Sequence, residues 1–120
     1  MDANELRKQL NQKLETRPLH RSPEDVRKSH QSYIDYHMAT KPDNIYVIPM
    51  EEMAELTQHL SKIIRGKEDM TNIGFLEELA DVQICIDNLR LACGVDPATF
   101  EYIKDIKFER AAQRINNQTA

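Results

Sequence analysis

The chain has 120 residues and a formal net charge of −4, with 40% hydrophobic and 30% charged residues. That is enough for one domain with one core, and the acidic balance excludes the basic footprint of a nucleic-acid binder. No apolar run approaches the roughly 18 residues of a membrane span, and the polar start MDANELRKQL lacks the apolar centre of a signal peptide, so a cytoplasmic protein without a membrane partner is expected.

Residues 3–15 carry Leu6, Leu10 and Leu14, a narrow apolar stripe on a charged helix. TRPLHRSP breaks it. Ser22 followed by Pro23 predicts an N-cap with proline at the first helical position. That helix runs to about Ala39, with Val26, Tyr33, Ile34 and Met38 as a weak apolar pattern. TKPDN reads as a turn and IYVI as a short extended piece. From Pro49 a stronger helix begins, with Met53, Leu56, Leu60, Ile63 and Ile64 on one face and Gly66 as its stop. After the loop KEDMTN a helix from about Asn72 to Cys93 is apolar on most of its circumference, which predicts a centrally buried element, and Gly94 ends it. Asp96 and Pro97 open a last helix reaching about Ile115, with Phe100, Ile103, Phe108, Ala111 and Ile115 as its apolar residues, and NNQTA reads as a frayed tail. With three glycines and five prolines there is little material for hairpins. The expected fold is an all-α helical bundle of three strong helices with one or two weaker ones ahead of them. Cys85 and Cys93 share one helix about 12 Å apart, too far for a disulfide, and read as reduced core residues.

EEMAEL (51–56) and EELADV (77–82) repeat one arrangement of acids. Like charges three and four apart on a helix repel by roughly 0.2–0.5 kcal/mol per pair. At 100° per residue, Glu52 and Glu55 lie about 70° and 130° from the centre of the first apolar face, between Met53 and Leu56. Glu78 and Asp81 fall at the same angles from a centre between Leu79 and Val82, while Glu51 and Glu77 point away. An antiparallel pair of helices would set the two inner pairs face to face. Four carboxylates beside a core raise one another's pKa values, and all-oxygen ligation suits Mg²⁺ or Mn²⁺. The competing reading is that both strings are solvated helix faces. No Glu-x-x-His or His-Glu-x-x-His motif is present, so neither a di-iron bundle nor a zinc peptidase is supported.

Glu52-x-x-Glu55 with Glu78-x-x-Asp81, each followed by an apolar residue, resembles the motif of the all-α nucleoside triphosphate pyrophosphohydrolases, the MazG-like group. EEMAELTQHLSKIIRGK…EELADVQICIDNL is especially similar to small MazG-like proteins of Gram-positive bacteria and their phages, and KFER (107–110) resembles the family's basic C-terminal motif. The resemblance covers residues 46–115, leaving 1–45 as an N-terminal helical extension and 116–120 as the tail. It implies a Mg²⁺-dependent cut between the α- and β-phosphates of a nucleoside triphosphate, giving monophosphate and pyrophosphate, by a homodimer or homotetramer whose interface helps build the site. In that role Glu52, Glu55, Glu78 and Asp81 are the metal-binding and catalytic acids. Among the cations, Lys107 and Arg110 are candidate phosphate ligands, and Lys62 and Arg65 at the end of the first strong helix are further ones; helix-dipole complementation explains the same placements blandly. Tyr33, Tyr36, Tyr46, Phe75 and Phe100 are the aromatics available to a base, and none is assigned; nor are His30, His37 and His59. The alternative from another class is a non-catalytic helical protein that keeps the acidic pairs for oligomer assembly or regulation.

Overall fold

The computed structural model describes residues 5, 8 and 21–119. Four helices follow one another: α1 (Pro23–Thr40), α2 (Asn44–Ile64), α3 (Ile73–Ala92) and α4 (Pro97–Thr119). There is no strand among the described residues, so the fold is all-α. The helix expected over 3–15 falls almost wholly outside the described residues.

Local chemistry explains the ends. The Asp25 N–H donates to the Ser22 hydroxyl, and Pro23 opens α1. The Thr99 N–H and hydroxyl both donate to the Asp96 carboxylate ahead of Pro97. Gly66 and Gly94 take φ of 72° and 74°, the left-handed conformation in which a helix stops and a side chain is strained.

Several expectations are corrected. IYVI is helical: α2 starts at Asn44, five residues ahead of Pro49, which stands inside the helix. Proline cannot donate to the Ile45 carbonyl and its ring crowds that carbonyl, but Ile45 and Pro49 are both buried, so tertiary burial outweighs that cost near the helix start. α4 continues through the expected tail to Thr119. Cys93 is exposed, with its thiol donating to the Arg90 carbonyl, whereas Cys85 is buried as expected.

Spatially the chain forms two compact units, one through Leu89 and one from Arg90. In the first, α1 packs on α2, and the core is built from Ile34, Ile45, Phe75, Val82, Cys85 and Asn88. Asn88 is the one buried polar residue among the described residues, 4% exposed, and its Oδ1 lies 2.5 Å from His30 Nδ1 of α1. The second unit contains α4, on which Tyr102, Ile103, Ile106, Phe108 and Ile115 are exposed.

The buried faces of α2 and α3 are not the most apolar ones. On α2, Met53, Leu60 and Ile64 are exposed, while Ile45 and Pro49 are buried and Glu52, Leu56, His59 and Ile63 are half-buried. On α3, Leu79 is exposed and Phe75, Val82 and Cys85 are buried around a half-buried Glu78. Each helix is thus turned by roughly 50–70° from the apolar-face orientation. The turn carries Glu52 and Glu78 near the centres of the buried faces and leaves Glu55 and Asp81 at their edges. Glu77, expected to point away, is half-buried too. Ile84 and Ile86 are exposed, so α3 is not the fully buried element that its composition predicts.

Candidate functional site

Gly66 ends α2, a short loop follows, and α3 returns antiparallel, so residues early in α2 meet residues late in α3. Glu52 and Asp81 line one pocket, and Glu55 lies beside Glu78. Glu52, Glu55 and Glu78 each offer a carboxylate oxygen within 4.8 Å of the other two. Three of the four acids predicted from sequence therefore converge. Asp81 stands outside that group of three, yet close enough for the Glu77 and Glu55 charges, after its own desolvation, to push its pKa up.

The electrostatics are those of acids forced together. Burial, then the Glu52 and Glu55 carboxylates beside it, push Glu78 from the usual 4.5 up to about 8. Glu52 Oε2 and Glu78 Oε2 are both buried without a hydrogen-bond partner. A fully ionised cluster thus leaves two carboxylate oxygens without a donor, a costly state. Either a proton on Glu78 or a cation supplies what is missing. The neighbouring groups sense the same field: desolvation raises the pKa values of Tyr33 and Cys85, and the charge of Glu52 raises both further.

Beside the acids lies a pocket of about 190 Å³ lined by Tyr33, Ile48, Glu52, Asp81, Ile84, Cys85 and Asn88. Its walls are mostly apolar, with the Tyr33 hydroxyl and the Asn88 amide as neutral polar groups. The Tyr33 hydroxyl is buried and unpartnered. Its ring meets that of His37 edge-on, with centroids 4.4 Å apart. Asn88 escaped the sequence reading, although it stands about three turns after Glu78 and two after Asp81 on one side of α3 as a polar residue inside an apolar run. His30, seen but unassigned, holds it from α1.

The basic candidates are placed less closely. Lys62 and Arg65 are exposed at the end of α2, and the Arg65 guanidinium donates to the Ser61 carbonyl. Lys107 and Arg110 are exposed on α4, in the second compact unit. Tyr36 and Tyr46 are exposed, and Phe75 is a core residue. No helix among the described residues is long and apolar enough to cross a membrane. Compared with protein-family models, curated proteins and solved structures, the chain matches none.

Proposed function

We propose that the chain is a Mg²⁺-dependent nucleoside triphosphate pyrophosphohydrolase of the MazG-like kind, releasing a nucleoside monophosphate and pyrophosphate. The observation that carries this reading is the placement of Glu52 and Glu78 at the centre of the α2–α3 contact, each with a buried carboxylate oxygen left without a donor. With Glu55 in reach, the donor set is all carboxylate, which fits Mg²⁺ or Mn²⁺ better than zinc. A divalent cation there supplies Lewis acidity and neutralises phosphate charge.

The chain's own residues do the rest. Glu52, Glu55 and Glu78 form the anionic cradle. Asp81, with its pKa raised and its side chain at the pocket wall, accepts the proton of the water that attacks phosphorus. The bond to the bridging oxygen breaks, and the leaving pyrophosphate carries away the electron pair. Lys62 and Arg65 offset its charge. A pocket of about 190 Å³ is smaller than the roughly 300–1,000 Å³ that holds a whole drug-sized ligand. It has room for one ring of the nucleotide, base or sugar. Lys107 and Arg110 are tested separately: alanine substitutions that leave turnover unchanged remove them from the proposal.

A second feature supports the assembly that the resemblance implies. Tyr46, Met50, Met53, Leu60 and Ile64 are exposed on α2 at alternating three- and four-residue steps, Thr57 completing the series. That spacing makes the seam through which helices pair. It suits a homodimer or homotetramer, and equally the non-catalytic assembly protein. Pyrophosphate release from a panel of (d)NTPs, with Mg²⁺ and with EDTA, separates the two. Metal-dependent release that Glu78→Gln abolishes is expected; no release from any nucleotide contradicts the enzymatic reading.

A further inference from the structure

One turn beyond the acids, α2 and α3 touch again. His59 follows Glu55 by one turn of α2, and Gly74 precedes Glu78 by one turn of α3. In an antiparallel pair, His59 and Gly74 are the next rung of the ladder on which Glu55 and Glu78 stand. We propose that His59 is a positioning residue for the acidic centre, fixing the register that sets Glu55 against Glu78; the inference rests on the reading of that centre as a cation site.

Three observations build the clamp. His59 Nδ1 lies 2.6 Å from Glu68 Oε1, and the two side chains are only 21% and 9% exposed. A short, sheltered, charge-assisted contact of this kind is stronger than a surface ion pair. Glu68 comes from the loop that joins α2 to α3, so the contact ties that loop to α2. On its other side the His59 ring lies against α3: a Cβ added to Gly74 would meet His59 Cε1 at 2.9 Å and Asn72 Oδ1 at 3.1 Å. Asn72 Oδ1 in turn accepts the Phe75 N–H at 3.2 Å, so it cannot swing aside without opening the first turn of α3.

Glycine is a poorer helix former than alanine, and the close approach of the His59 ring gives a reason for it here. His59 has its Nδ1 engaged with Glu68 and adds no ligand atom to the group of three acids. Its effect runs through register. Mg²⁺ demands near-ideal octahedral geometry at about 2.0–2.1 Å, so a small slide of α3 along α2 breaks the site while the helices persist.

Mn²⁺ affinity of the full chain, measured by titration calorimetry, tests this. Removing a side chain hydrogen-bonded to a metal ligand costs roughly 10–100-fold in affinity; His59 touches none of the three acids, so His59→Ala is expected to weaken Mn²⁺ binding by about tenfold, the lower end of that range. Gly74→Ala should do the same, and in the double variant the two losses should fall short of additive, because the His59 ring that the methyl meets most closely has gone and only Asn72 Oδ1, at 3.1 Å, remains against it. His59→Asn keeps a donor toward Glu68 and should recover part of the loss; it carries the test if Gly74→Ala does not fold. Ile45→Val is the control, lowering the melting temperature without touching the register. If the His59 variants merely melt earlier, as the control does, and bind Mn²⁺ as tightly as the parent, the inference is overturned while the cation site stands. If the parent chain binds no Mn²⁺, the cation site falls and the inference with it.

Discussion

Glu78 is where the cost of this design concentrates. Its pKa is raised from 4.5 to about 8 by burial and by Glu52 and Glu55. A carboxyl group with a raised folded-state pKa takes up a proton on folding, so its stabilisation is complete below about 4.5 and is lost as pH rises through 8. Asp81 is shifted the same way. Glu24, Asp69 and Asp96 are shifted down by their hydrogen bonds, so their contributions are lost only as pH falls below the ordinary carboxylate range. In EDTA the melting temperature should therefore fall between pH 5 and 8, and Glu78→Gln should flatten that fall and melt higher than the parent at pH 8. Parallel slopes for the two proteins would show that Glu78 is not the strained group.

Helix boundaries follow rules that a sequence displays, and helix rotation does not. Ser22–Pro23, Gly66, Gly94 and Asp96–Pro97 are local signals, and the structure uses all of them. Asp96→Ala removes the acceptor of both Thr99 donors and should destabilise the start of α4, read as a loss of helical circular dichroism. Which face is buried was misread because an apolar-moment argument turns the most hydrophobic side inward. On α2 and α3 the inward side carries Glu52 and Glu78, while Met53, Leu60 and Leu79 stay exposed. The two acidic repeats were legible as a matched pair. Their depth was not, nor were the partners His30 for Asn88 and Glu68 for His59, since pairs 58 and 9 residues apart leave no periodic trace. IYVI was misjudged because four residues carry too little periodicity to outweigh the proline that follows.

At the scale of the whole molecule, two features are left over by the isolated chain: a seam of exposed apolar residues on α2 and a centre with too much negative charge. The seam predicts self-association. Size-exclusion chromatography with light scattering should give a multiple of the 14.0 kDa chain mass, and Met53→Glu with Leu60→Glu should shift it toward monomer with helicity retained. A wild-type monomer at tens of micromolar would show the seam to be unused. The charge predicts that a cation and the fold stabilise each other. Ligand binding to the folded state alone adds RT ln(1 + [L]/Kd), about 2.7 kcal/mol at a hundredfold excess over Kd, or about 10 °C for a chain of this size. Thermal unfolding at pH 7.5, in EDTA and in millimolar Mg²⁺ at matched ionic strength, measures this for the parent and for Glu78→Gln. The parent should melt several degrees higher in Mg²⁺, and Glu78→Gln should melt at least as high as the parent in EDTA yet gain little from the ion. Equal responses of the two proteins to Mg²⁺, or none in either, would contradict a cation site between α2 and α3.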